Sequence, residues 1–108
     1  MRCRLLLSSA PPERAESIGR HLVEQGVAAC VSLLPGARSI YPWKGKVEQA
    51  DESLLLIKSA AEVGVIESAL RAVHPYELPE LIAVDIQSGL AAYLDWVAAH
   101  SRGVPPAD

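Results

Sequence analysis

Ser39-Ile40-Tyr41-Pro42-Trp43-Lys44-Gly45-Lys46-Val47 is the stretch on which the fold turns. Lys44-Gly45-Lys46 is a hairpin signal, with extended, aromatic-rich sequence before it. A long strand follows from Val47 to Lys58, polar at first (Glu48, Gln49, Asp51, Glu52) and apolar later (Leu54 to Ile57). On the other side, Val27 to Leu34 reads as a strand that Ser39 to Trp43 prolongs beyond a kink at Pro35-Gly36. At roughly 3.3 Å per residue these arms outreach a compact four-stranded sheet. Their polar distal half is therefore expected to project, with unpaired edges that a neighbouring subunit is placed to pair.

Outward from the hairpin the chain repeats itself. Cys3 to Ser8 reads as a buried strand, bounded by the Ser-Ser-Ala-Pro-Pro break. Pro12 suits a first helical turn, and Ala15, Ile18, Leu22 and Val23 then recur at helical spacing until Gly26. In the second half Ser59-Ala60-Ala61-Glu62 has a capping-box pattern. The helix behind it carries Val63, Ile66, Leu70 and Val73 on one face, a strand follows from Leu81 to Ile86, and Leu90, Tyr93, Leu94 and Val97 mark a last helix. The order β-α-β-β-α-β-α predicts an α+β, ferredoxin-like domain, two right-handed β-α-β units interleaved in one sheet. A single domain over residues 1–103 is expected, with a frayed tail over 104–108.

Between the second helix and its strand lies His74-Pro75-Tyr76-Glu77-Leu78-Pro79-Glu80-Leu81. Proline fixes its own φ and pushes the preceding residue out of the helical region. His74 is therefore expected to close its helix and Leu78 to be extended. The connector holds an imidazole, a phenol and carboxylates at one edge of the fold.

Composition narrows the function. The chain of 108 residues has a net charge of −3, which argues against a nucleic-acid partner. The apolar run near the N-terminus is too short for a signal or a membrane span, so no membrane partner and a cytoplasmic location are expected. Cys3 and Cys30 do not make a disulfide framework and are expected as packed thiols. Enzymes of this topology lack their parts here. An acylphosphatase needs an asparagine, and the chain has none. No Gly-rich phosphate loop or nucleophile motif is present. RNA-recognition domains need stacking aromatics on their central strands, which here are aliphatic, and a metallochaperone of this shape needs a Cys-x-x-Cys loop. A binding or sensing module, not an enzyme, remains.

Ala29-Cys30-Val31, Pro35-Gly36, Ser39 to Lys46, Lys58, His74-Pro75-Tyr76, Pro79-Glu80-Leu81, Gly89 and Tyr93-Leu94-Asp95-Trp96 together resemble the CutA family of divalent-cation tolerance proteins. Order and spacing agree from Leu5 to about Val97. The resemblance implies a homotrimer with long hairpins pairing between subunits, similar to PII-type signalling proteins, and binding of copper or another divalent cation in metal tolerance. Carried over to this sequence, His74 is the metal-ligand candidate, its imidazole suiting Cu(II). Where some family members carry a cysteine and a second histidine, this chain has Ser8 and Val73. The site is then expected to be incomplete and weak, with water or a carboxylate such as Glu77 or Glu80 filling it. His21 and His100 read as solvated helix residues. Trp43, Lys58, Tyr76 and Glu80 are candidates for lining an inter-subunit cleft. The alternative function is a PII-like trimeric sensor that binds a small anionic metabolite there, with Lys58 as its charge partner.

Overall fold

The computed structural model describes residues 2–105; the last three residues of the expected tail, 106–108, lie outside the described residues. Seven elements follow in order: β1 (Arg4–Ala10), α1 (Pro12–Glu24), β2 (Cys30–Trp43), β3 (Lys46–Ser59), α2 (Val63–Arg71), β4 (Ile82–Asp85) and α3 (Ala91–Ala99). The four strands form one sheet in the order β2-β3-β1-β4, with every neighbouring pair antiparallel. This is the interleaved arrangement expected of two β-α-β units.

Side-chain alternation divides the sheet into two unlike faces. Leu6, Leu55 and Ile57 point to the helical side and pack with Ile18 and Leu22 of α1 and Ile66 and Leu70 of α2, all at 0% exposure. Each such side chain contributes about 1.5–3 kcal/mol by leaving water. The other face is also aliphatic. Leu5 pairs with Lys58 and Val84, Leu7 with Leu56 and Ile82, and Leu54 with Ser9 and Leu34. Antiparallel partners share a face, so these residues form one layer; of the described helices, α3 reaches it, at its end near Cys3, Ala29 and Ala60. Leu34, Ile82 and Val84 remain 53, 53 and 52% exposed.

The hairpin reaches out as the arm lengths require. Its turn is Lys44-Gly45, both at positive φ (50° and 80°), the pattern of a two-residue type I′ loop whose twist suits the flanking strands. Ile40, Trp43 and Val47 near the tip are 69, 58 and 78% exposed, and the molecule is 45 Å long against 29 and 23 Å in its other directions.

Several local expectations are corrected. The kink expected at Pro35-Gly36 takes the form of a bulge between Leu34 and Ala37, and β2 runs through it without a break. Gly36 absorbs the extra residues at φ 88°, a conformation that costs a side chain dearly. Ser59 caps no helix. It closes β3, donating to the Val27 carbonyl (2.6 Å) and accepting from the Ala61 N–H (3.0 Å), while Glu62 occupies the N-cap of α2 without a side-chain bond. α2 ends at Arg71, three residues before His74, and Leu78 lies in a bend, 83% exposed. β1 runs two residues past Ser8, and β4 is four residues long. Gly103, the last residue of the expected domain, donates its N–H to the Gly26 carbonyl at 2.8 Å.

Candidate functional site

The connector between α2 and β4 is latched to the sheet by its side chains. The His74 N–H donates to the Leu70 carbonyl (2.9 Å), an α-turn that swings the imidazole under the end of β1. The ring is 8% exposed. Its Nδ1 accepts the Tyr76 N–H at 3.1 Å, so Nε2 carries the proton and donates to the Ser9 carbonyl at 2.8 Å. Both nitrogens of a neutral ring are thereby used. The Tyr76 ring lies against that of His74 with centroids 4.9 Å apart.

Tyr76 reaches onward to β3. Its hydroxyl donates to Glu52 Oε2 at 2.8 Å. Glu52, read from sequence as part of the polar projecting arm, is only 5% exposed. Desolvation first, and then the hydrogen bond to Glu52, push the phenol from 10.0 up to about 12. Glu80 completes the latch. Its carbonyl accepts from Ser8 Oγ at 2.7 Å, and its Oε1 from Ser9 Oγ at 3.4 Å. His74, Tyr76 and Glu80 are thus brought together with Ser8, the position noted from sequence, and with Ser9 and Glu52, partners that sequence reading did not assign to the site. A separation of 24 residues between Glu52 and Tyr76 leaves no local signal for their pairing.

Lys58 and Trp43 stand apart from that cluster within one chain. Each lies at least six residues along the hairpin from the Glu52 position, about 20 Å in extended strand. Lys58 Nζ donates to Ser32 Oγ (2.7 Å) on β2 and to the Leu56 carbonyl (3.2 Å). Trp43 stands at the hairpin tip beside the Lys44 ammonium, 5.9 Å from its ring centroid. Cys3 is buried, whereas Cys30, expected in the core, is on the uncovered face and half-buried; both are free. The reason is register: Cys30 pairs with Lys58, on the side away from the helices. The His100 ring lies tilted against Trp96 (centroids 4.9 Å apart), and His21 lies in the last turn of α1.

As a copper centre the His74 corner fits poorly. The ring has no free nitrogen, Ser8 and Val73 replace softer donors, and the described residues contain no group of three or more His, Cys, Asp or Glu side chains placed around one ion. The arrangement orients a neutral imidazole and a neutral phenol. Among the described residues no helix is long and apolar enough to cross a membrane.

Comparison with known proteins gives one consistent result. The family described as CutA1 divalent ion tolerance protein matches residues 4–100. The human protein named Protein CutA is 44% identical over 98 residues, 89% of this chain and 55% of its own length, so the chain spans about half the length of the vertebrate relatives it matches. The crystal structure of CutA from Xylella fastidiosa superposes with a TM-score of 0.88 at 46% identity, covering 92% of this chain and 97% of that one. The structure described as PII-like protein CutA from Nostoc sp. PCC 7120, in apo form, gives 0.85 at 35% identity, covering 95% and 99%.

Proposed function

Because the chain belongs to the CutA1 family of divalent ion tolerance proteins, we propose that it acts in the response to divalent cations as a homotrimer. The observation that carries this reading is the uncovered aliphatic face of the sheet, made by Leu5, Leu7, Leu34, Leu54, Leu56, Ile82 and Val84. A contiguous apolar layer of this kind, beside a projecting hairpin with a free edge, marks an association surface. The hairpin belongs to one subunit and the face it reaches to the next, so the contact is heterologous and closes as a ring.

Copper or another divalent cation is assigned a weak contact at His74. The ion would have to displace either the Tyr76 N–H from Nδ1 or the Ser9 carbonyl from Nε2. A carboxylate such as Glu77 or Glu80 supplies the remaining charge. Nothing in the chemistry of this corner calls for catalysis.

A second reading has its own support. Lys58 takes part in none of the ion pairs among the described residues. A half-buried ammonium on an apolar face favours an anionic partner. In the trimer, a PII-like cleft would place Lys58 of one subunit near Trp43, Tyr76 or Glu80 of another, with a small anionic metabolite between them. Equilibrium titration of Cu(II) and of a metabolite panel against the same preparation, and against His74→Ala and Lys58→Met, separates the two. The cation reading requires copper binding that His74→Ala weakens. The sensor reading requires anion binding that Lys58→Met removes.

A further inference from the structure

The two sides of the projecting hairpin carry different residues. Beyond the bulge Ile40 pairs with Gln49 and Pro42 with Val47, so these four share one side. Alternation along β3 continues that side to Leu55 and Ile57, which pack with the helices. Ile40 and Val47 are strongly exposed, and they point away from the layer that Leu54 and Leu56 belong to. An association through that layer alone leaves them in water.

A receptor of matching chemistry stands on the helical side of the sheet. Val63, Glu67, Leu70 and Arg71 of α2 enclose a cleft with Pro79 and Leu81, about 220 Å³ in volume. Its floor is aliphatic: Leu70 belongs to the helical core, and Val63 and Leu81 pack against that core. Its rim is charged. Glu67 and Arg71, one turn apart on α2, take part in none of the ion pairs among the described residues. An apolar floor inside a polar rim is the anatomy of a protein–protein contact. At about 30 Å³ per liquid water, the cleft has room for the ends of one or two aliphatic side chains. Leu81 leads directly into β4, and β2 and β4 are opposite edges of the sheet. The hairpin therefore meets this cleft on another copy, not on its own.

We propose that the cleft between α2 and the Pro79–Leu81 segment receives the Ile40, Pro42 and Val47 patch of a second copy's hairpin. This rests on the homotrimer reading and adds to the sheet face a second contact, made by the opposite side of the same hairpin. The hairpin is then gripped on both sides, and its exposed aliphatic residues leave water together with the floor of the cleft.

Sedimentation velocity over a concentration series compares the parent with Val47→Asp, a change at an exposed position whose folding circular dichroism checks. The variant is expected to need roughly tenfold or more protein to assemble, as loss of one buried aliphatic contact does. In a Cys30→Ser background, Val47→Cys combined with Glu67→Cys should give covalent dimers and trimers on treatment with a short bis-maleimide, and neither single variant should. The thiol of Glu67→Cys should also react with a maleimide more slowly in the trimer than in the monomer that Leu34→Glu releases. A monomeric parent overturns the trimer and this contact with it. A trimeric parent whose assembly Val47→Asp leaves unchanged, whose paired cysteines do not cross-link, or whose Glu67→Cys thiol is equally reactive in both states keeps the trimer and overturns the contact, leaving the cleft open to another partner.

Discussion

The Tyr76 hydroxyl donates to Glu52 Oε2 at 2.8 Å, joining the α2–β4 connector to the root of the projecting hairpin. Glu52 is nearly inaccessible, so this bond decides whether its carboxylate has a partner inside the chain. Tyr76→Phe removes the donor and keeps the ring that packs on His74. It is expected to cost about 1–3 kcal/mol, the range for leaving a buried polar group unmatched. Urea unfolding of the variant beside the parent measures it.

The same bond predicts a response to alkali. The folded-state pKa of Tyr76, about 12, lies above its ordinary 10.0, so folding favours the protonated phenol. Its contribution is fully present below pH 10 and declines as pH rises from about 10 to about 12, because the unfolded chain gives up the proton first. Tyr76→Phe should flatten that part of the stability profile. An identical alkaline decline in the variant would contradict the assignment.

His74 is expected to matter more for structure than for metal. His74→Ala strands the Ser9 carbonyl and the Tyr76 N–H together, and a loss of about 1–3 kcal/mol in chemical unfolding is predicted. Calorimetry with Cu(II) at pH 7.5 should show weak binding by the parent and weaker binding by His74→Ala. His21→Ala and His100→Ala serve as controls, and copper binding lost in a control but kept in His74→Ala would move the contact elsewhere.

Gly26 closes α1 at φ 71°, and a Cβ there would overlap the backbone of Val104. Gly26→Ala combines a left-handed strain of about 1 kcal/mol or more with displacement of the C-terminal segment. A lower melting temperature is expected, together with faster proteolysis near residue 103. Unchanged values would mean that the Gly103–Gly26 contact contributes nothing.

Much of this was legible in the sequence because period and punctuation are local. The seven elements, the two similar halves and the projecting hairpin follow from alternating and 3.6-residue patterns around Gly26 and Gly45. The misreadings involve tertiary contacts. Ser59 has the spacing of a capping residue, but its hydroxyl is claimed by the Val27 carbonyl across the sheet. His74 precedes a proline, yet the helix stops at Arg71 and the ring folds back to bond Ser9. Glu52 looks like a solvated hairpin residue until Tyr76 covers it. At the candidate site, the residue types His74, Tyr76 and Glu80 were readable, while their partners on β1 and β3 were not.

The aliphatic sheet face is expected to be covered by other copies of this chain, and heat and dilution should reveal it. A closed trimer ties unfolding to dissociation, so melting is expected above about 65 °C, the upper end of the mesophilic range, and should rise with protein concentration. Leu34→Glu and Val84→Glu place charge on that face without entering the helical core. Both should release folded monomers.

Light scattering on the parent at low micromolar concentration is the most direct measurement. Three times the 11.6 kDa chain mass is predicted, falling to a single chain in Leu34→Glu and Val84→Glu. A parent that elutes as a stable monomer would rule out the trimer, leaving the exposed aliphatic face and the projecting hairpin without a partner.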